Sequence, residues 1–538
     1  LQGISIDGRT VYDLKLGDVT LTSYHDSNTG HDMLAFSYQQ VRLTTTPQSP
    51  NGAIGTPVTF SWDVATSTED VNIPDPVVPD GSPTGGGSAA AYFLTIDGVI
   101  GDSTRLHHEG AFNVIDYSFD VSALISATSG GGTSKPTFSP LTVDLDLNSG
   151  LTALLKDVAT GKHIPAIELQ GISIDGRTVY DLKLGDVTLT SYHDSNTGHD
   201  MLAFSYQQVR LTTTPQSPNG AIGTPVTFSW DVATSTEDVN IPDPVVPDGS
   251  PTGGGSAAAY FLTIDGVIGN STALHHEGAF NIIDYSFDVS ALISATSGGG
   301  TSKPTFSPLT VDLDLNSGLT ALLKDVATGK HIPAIELQGI SIDGRTVYDL
   351  KLGDVTLTSY HDSNTGHDML AFSYQQVRLT TTPQSPNGAI GTPVTFSWDV
   401  ATSTEDVNIP DPVVPDGSPT GGGSAAAYFL TIDGVIGNST ALHHEGAFNI
   451  IDYSFDVSAL ISATSGGGTS KPTFSPLTVD LDLNSGLTAL LKDVAAGKHI
   501  PAIELQGISI DGRTVYDLKL GDVTLTSYHD SNTGHDML

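Results

Sequence analysis

Cysteine is absent from all 538 residues. That excludes disulfides, thiolate metal sites and cysteine nucleophiles, so durability has to come from packing or assembly. Basic residues are scarce: 21 Lys and Arg stand against 60 Asp and Glu, a net charge of −39. Binding nucleic acid or docking on an anionic membrane needs basic surface, so neither is expected. No apolar run approaches the roughly 20 residues of a transmembrane helix, so no membrane insertion is expected. A G-x-S-x-G nucleophile elbow is missing. The glycine runs TGGGS and SGGGTS lack the Lys-Ser/Thr of a phosphate-binding loop. The chain is therefore not read as an enzyme, and no catalytic residue, cofactor or resident metal is assigned to it.

What is present is repetition. LQGISIDGRT opens the chain and returns at 169, 337 and 505. Residues 1–168, 169–336 and 337–504 are three copies of one unit, and 505–538 begins a fourth. The first two copies differ at Asp102/Asn270, Arg105/Ala273 and Val114/Ile282; the second and third differ at Thr328/Ala496. A solenoid repeat runs to roughly 20–50 residues, and a domain to about 100–200. The period of 168 therefore marks whole domains, each large enough for its own core.

The phase of the repeat is not the phase of folding. NIPDPVVPDGSPTGGGSAAA, at 72–91, 240–259 and 408–427, is rich in Pro, Gly and Ser. It reads as a part-stiff, part-flexible spacer that could span roughly 50–60 Å. The expected organisation is a C-terminal part of a domain at 1–70, a linker at 71–89, and a domain at 90–238. A linker at 239–257, a domain at 258–406, a linker at 407–425 and an N-terminal part of a domain at 426–538 follow. Both ends fall inside a unit on this reading, so the chain is expected to be a window on a longer array. The linker has two readings, a loose tether or an arm lying along a neighbouring domain.

Inside each unit the pattern is that of strands. Ile115, Tyr117, Phe119 and Val121 alternate with polar residues, as do Leu141, Val143, Leu145 and Leu147, and Val58, Phe60, Trp62 and Val64. A period of two marks a half-buried strand. Val58, Phe60 and Trp62 are expected to face inward with Tyr117, Phe119 and Val121. One short helix is expected in NSGLTALLKDVATGKH, capped by Asn148 or Ser149, with Leu151, Leu154 and Leu155 inward and Gly161 at its end. The expected fold class is all-β with one short helix per domain, a tandem array of antiparallel barrels or sandwiches.

Several polar clusters could carry chemistry. YHDSNTGHD puts His25, Asp26, His31 and Asp32 in one loop. It reads either as a divalent-metal site or as a solvated hairpin tip using turn chemistry. LHHEG at 106–110 reads as an inter-strand loop or a pH-sensitive contact between domains. Asp144, Asp146 and Asn148 resemble a calcium loop, but Gly150 falls one place late for that pattern, and a strand running into a capped helix explains them. IGNST makes Asn270 and Asn438 candidate N-glycosylation sites; Asp102 removes the site in the first copy.

Six segments, YFLTIDGVIGDS, HHEGAFNVIDYSFDVS, SGGGTSKPTFSPLTVDLDL, GKHIPAIELQGIS, YDLKLGDVTLTSYH and GTPVTFSWDVAT, occur in the order that resembles the hemolysin-coregulated protein (Hcp) family. These are the inner-tube proteins of type VI secretion. The resemblance implies a small barrel of two antiparallel sheets, a lateral helix and an extended loop. It also implies assembly into stacked six-membered rings, with no catalytic residues. The near-identical tandem copies instead favour a secreted, extracellular filament or surface fibre whose partner is itself, since a polymer needs equivalent interfaces. The alternative is a type VI secretion tube component or exported Hcp-type effector.

Overall fold

The computed structural model describes residues 1–538 except 6–7, 28–31, 48–54, 65, 70, 77–88, 124–135, 147–149, 198, 216–222, 238, 248–256, 292–302, 315–317, 364, 366, 384–389, 406, 417–424, 460–471, 482–486 and 530–534. The N-terminal segment holds β1 (Gln2–Ile4), β2 (Thr10–Ser27), β3 (Met33–Thr45) and β4 (Val58–Asp63). Then come β5 (Ala91–Ile96), β6 (Phe112–Ser122), β7 (Thr137–Phe138), β8 (Leu141–Leu145), α1 (Leu151–Thr160), β9 (His163–Ile172), β10 (Thr178–Ser195), β11 (Asp200–Ser205), β12 (Gln208–Thr213) and β13 (Val226–Asp231). The order repeats as β14 (Ala259–Ile264), β15 (Phe280–Ser290), β16 (Thr305–Phe306), β17 (Leu309–Leu313), α2 (Leu319–Thr328), β18 (His331–Ile340), β19 (Thr346–Ser363), β20 (Asp368–Ser373), β21 (Gln376–Thr381) and β22 (Val394–Asp399). It starts again as β23 (Ala427–Ile432), β24 (Phe448–Ser458), β25 (Thr473–Phe474), β26 (Thr478–Leu481), α3 (Leu487–Ala496), β27 (His499–Ile508), β28 (Thr514–Thr524) and β29 (Asp536–Met537).

Six strands close a ring. β5 pairs β9, β9 pairs β10, β10 pairs β11, β11 pairs β8, β8 pairs β6 and β6 returns to β5, all antiparallel. Within the ring every strand has a partner on both sides, so the ring itself has no free edge. The alternating residues fill the lumen: Tyr117, Phe119, Leu141, Val143, Leu145, Leu182, Leu184 and Phe204 are all buried. β14 to β20 close a second ring with the same partners. The fold is thus antiparallel β with one short helix per barrel.

Ile115 departs from the expected alternation and is 44% exposed. The register of β6 against β8 shifts between Val114 and Asp116. This bulge turns the side chain outward, because one extra residue flips the pleat.

The helix start also differs. Asn148 and Ser149 lie outside the described residues. Gly150 holds the N-cap position at φ 69°, with no side-chain cap. A Cβ there would come within 2.9 Å of both Phe112 Cζ and Val99 Cγ1. Glycine is required by both conformation and space. At the other end Gly161 adopts φ 61° and donates to Val158 O, as a left-handed C-cap does. Leu151, Leu154 and Leu155 are buried as expected.

A second difference concerns Val58, Phe60 and Trp62. β4, β13 and β22 are not walls of the barrel; each pairs with one strand and extends the sheet beyond it. Val58 and Phe60 are exposed, Trp62 and Trp230 half-buried, and Phe228 is 47% exposed. In β22 Phe396 and Trp398 are buried instead. They are covered by the preceding barrel's α1, which packs on β21 and β22. The apolar alternation serves contact between barrels.

The linker was expected to lie on a neighbour or hang free. Residues 241–247 instead return along the barrel they follow. Ile241 is buried, and a Cβ on Gly185 would meet its Cγ2 at 3.2 Å. Val245 N–H donates to Asp97 Oδ1 at 2.7 Å, and its carbonyl accepts from Gly98 N–H at 3.0 Å. Val246 Cγ1 lies 2.7 Å from the Cβ that Gly110, at φ 79°, lacks. Ile409 and Val413 repeat the arrangement, Val413 bonding Asp265 and Gly266. Pro242, Pro244 and Pro247 donate no bonds, which keeps the arm from growing into a longer ladder.

Candidate assembly interface

The strand β10 is 18 residues long, longer than its barrel needs. Its N-terminal half pairs with β9 in the wall. Its last five residues, Ser191–Ser195, pair antiparallel with Ser290–Ser286 of β15 in the next barrel. The same five-residue joint links β2 to β6, through Ser23–Ser27, and β19 to β24, through Ser359–Ser363. Each barrel therefore receives a strand from the one before it.

The residues of the joint are those of the YHDSNTGHD loop. Strand alternation puts Tyr192 and Asp194 on one face and His193 on the other. Asp194 is 2% exposed. Two tyrosines of the next barrel donate to it: Tyr285 Oη to Oδ1 at 3.2 Å and Tyr348 Oη to Oδ2 at 2.9 Å. Tyr260 completes the cage, its ring 5.0 Å from that of Tyr285 and 6.0 Å from that of Tyr348. Asp26 meets Tyr117 and Tyr180 in the same way, and Asp362 meets Tyr453 and Tyr516.

Burial pushes the Asp194 carboxyl well above the usual range, and the nearby Asp200 carboxylate adds to the rise. The two hydroxyls act the other way by donating to the charged form. At the next joint Asp362 is pushed up to about 7, again mainly by burial. Asp26 is raised for the same reason.

On the opposite face His193 Nδ1 sits 2.6 Å from Asp288 Oδ1, directly across the strand pair. Ser286 Oγ donates to the other carboxylate oxygen at 2.7 Å. The Asp288 bond raises His193, and the imidazole lowers Asp288. His25–Asp120 and His361–Asp456 repeat the pair at 2.7 and 2.6 Å. Asn196 Nδ2 donates to Ile283 O across the joint at 2.6 Å. Behind it, Lys156 of α1 pairs with Glu405 at 3.1 Å.

The loop read as a candidate metal site is thus built of pairwise contacts. His25 and Asp26 point to opposite faces of one strand and bond different partners. Asp32 accepts the Ser27 N–H at 3.2 Å, a turn contact. His31 lies outside the described residues; its counterpart His199 bonds Asp144 Oδ2 of its own barrel at 3.0 Å. Among the described residues, no three His, Cys, Asp or Glu side chains converge as a metal would need.

The remaining candidates have local partners. His108 stacks on Phe93 at 4.6 Å and 11°; burial and the neighbouring Arg105 lower it. Asp146 is raised by burial, and Asn148 lies outside the described residues. Asn270 Oδ1 accepts both the backbone and side-chain N–H groups of Asn281, at 3.3 and 3.2 Å. Asn438 does the same with Asn449. Asp102 makes the equivalent bonds to Asn113, so Asp and Asn brace the turn alike.

A polar clamp was not anticipated. Lys183 pairs with Glu168 at 3.1 Å and with Asp243 of the arm, and is only 8% exposed. Asp181 alongside is raised, first by burial and then by Glu168. The signal was available as the single Lys of each long strand, Lys15, Lys183 and Lys351, with the Asp of IPDP sixty residues later, but spacing alone does not say that the arm folds back.

Similarity to other proteins follows the barrels. Hcp1 from Salmonella typhimurium is 22% identical, with 28% of this chain and 99% of that one covered and a TM-score of 0.23. A type six secretion system protein is 21% identical, covering 28% and 99%, with a TM-score of 0.26. A type VI secretion system effector from Yersinia pestis is 19% identical, covering 26% and 98%, with a TM-score of 0.21. No curated protein matches the chain. The sequence pattern described as "Type VI secretion system effector, Hcp" matches residues 93–212, 261–380 and 429–537. The three matches take in more than half of the sequence, and the chain belongs to the Hcp family.

Proposed function

We propose that the chain is a structural subunit of an extracellular filament, a string of Hcp barrels each locked to the next by its long strand. The observation that carries this reading is the threefold recurrence of one joint, with Asp26, Asp194 and Asp362 each held by two tyrosines of the following barrel. Identical contacts between successive units generate one operation, repeated. If the rotation closes, the product is a ring; if it does not, a screw. The arm that runs back along each barrel before the next one begins favours a chain kept taut rather than one of loosely tethered beads. We assign the protein no catalytic role, no nucleic-acid partner and the outside of the cell as its place of action.

Membership of the Hcp family favours a second reading, a type VI secretion tube in which fused barrels occupy positions in stacked six-membered rings. Cryo-electron microscopy of the assembled material separates them. An open screw of barrels is expected; closed six-barrel rings around a lumen would replace the filament by the tube.

A further inference from the structure

We propose that each joint is a pH-sensitive latch: the buried aspartate at the tip of the long strand holds successive barrels together in mild acid and loosens as the pH rises to neutrality. The inference rests on the joint being the assembly interface, and concerns how that interface is controlled.

The geometry is that of a carboxyl sealed inside a contact between two bodies. Asp194 is on β10 of one barrel, and its hydrogen-bond partners are on β15 and β19 of the next. It is 2% exposed while the barrels are joined, and opening the joint would return it to water. Among the described residues, the ionisable groups that act on it are anionic or neutral, apart from one imidazole. Asp200 faces it from the turn after β10 and Tyr192 from its own strand; Tyr285, Tyr348 and, further off, Tyr260 face it from the next barrel. His193 lies on the outer face, engaged with Asp288. Among the described residues, no lysine or arginine stands among the groups acting on it.

The direction follows from the two protonation states. A neutral Asp194 fits the cage as it stands. An ionised one keeps two hydroxyl donors but loses hydration and faces the Asp200 charge, whereas in the opened joint ionisation costs nothing. A carboxyl raised in the closed state supplies its stabilisation below the open-state value, near 3.9, and loses it as pH climbs to the closed-state value. For Asp362, at about 7, that window runs from about 4 to about 7. His193 acts in the same sense, because a raised imidazole supplies stabilisation that fades as pH rises through its closed-state value. Asp288 opposes only in strong acid, since its lowered carboxyl loses its contribution below about 4. The latch is therefore tightest near pH 4 and already loosening at pH 5. Linkage with closed- and open-state values of about 7 and about 3.9 weakens the joint about a hundredfold between pH 5 and pH 9.

The test is amide hydrogen exchange on the full chain, read on peptides spanning 186–195 and 354–363 and corrected for the intrinsic pH dependence of exchange. Peptides from β9, inside the barrel wall, serve as reference. Opening of the 354–363 peptide is expected to rise about a hundredfold from pH 5 to pH 9, and that of the 186–195 peptide to rise in the same direction, with β9 unchanged. Replacing Asp26, Asp194 and Asp362 together by Asn keeps the cage's shape and should reduce the rise below tenfold. Replacing Tyr180, Tyr348 and Tyr516 by Phe removes one donor to each carboxylate and should shift the onset to lower stability at every alkaline pH. A wild-type ratio near one overturns the latch, and so does a hundredfold rise that survives the Asn substitutions. Joint peptides unprotected at both pH values would instead remove the interface reading itself.

Discussion

Phe228 and Phe396 are the same residue in two copies of one strand, and only their neighbours differ. Phe228 is 47% exposed and Phe396 is 4% exposed, because α1 of the preceding barrel lies on β22. An aromatic side chain of about 200 Å² loses some 43% more of its surface to the joint, or roughly 90 Å². At about 25 cal/mol per Å² this is about 2 kcal/mol. Phe396→Ala should therefore cost about 3–5 kcal/mol, the range for a buried aromatic, and Phe228→Ala about 2 kcal/mol less. The helix carries the other side of the comparison: Leu151 and Leu155 are buried in α1, while their counterparts Leu319 and Leu323 in α2 are only partly covered. Urea unfolding followed by tryptophan fluorescence reports the difference, since Trp398 stacks on Phe396 at 6.3 Å. A barrel array does not unfold in one step, so the comparison is between the midpoint shifts of the two variants. Equal shifts would refute the idea that the joint, rather than the barrel's own core, buries this face.

Other substitutions probe separate parts of the account. Tyr348→Phe removes one donor from the buried Asp194 and should cost about 1–3 kcal/mol, seen as faster exchange at Ser191–Ser195 with β9 unaffected. Asp97→Ala deletes the acceptor of the Val245 N–H; exchange at Val245 should accelerate at least tenfold, while a loose tether would show no protection to lose. Gly150→Ala puts a Cβ against Phe112 and Val99 at a positive φ and should destabilise its barrel by about 2 kcal/mol or more, measured as a lowered thermal midpoint. Intact mass of material from its natural source should show whether Asn270 and Asn438 carry glycans; an unmodified mass refutes the sequon reading.

The barrel was legible because its information is local. Alternation in NVIDYSFDVS and LTVDLDLN names the strands and their inward faces, and the turn residues separate them. Where one residue is inserted, at Ile115, the pattern reads straight through the bulge and misassigns the side chain. The contacts between barrels left a trace that local reading could not interpret. Val58, Phe60 and Trp62 alternate as a core strand would, yet the surface that covers such a strand is a helix of the preceding barrel, more than two hundred residues away in the chain. His25 and Asp26 stood out as ligand types close together, and the strand pleat sends them to opposite faces and different partners. Nothing in one copy of a repeat says whether a partner belongs to the same copy or the next. The arm shows the same ambiguity: IPDPVV reads as a strip able to lie on a barrel, and the sequence does not say whose.

The central claim is that successive barrels are fixed to one another by the joint. A cryo-electron microscopy reconstruction of the purified 538-residue chain at pH 5 tests it most directly. The account predicts one rigid body in which a single rotation and translation relates the barrel at 91–231 to that at 259–399, with α1 resting on Phe396 and Trp398. Barrels found at varying distances and angles, with Ser191–Ser195 of β10 unpaired from β15, would contradict it.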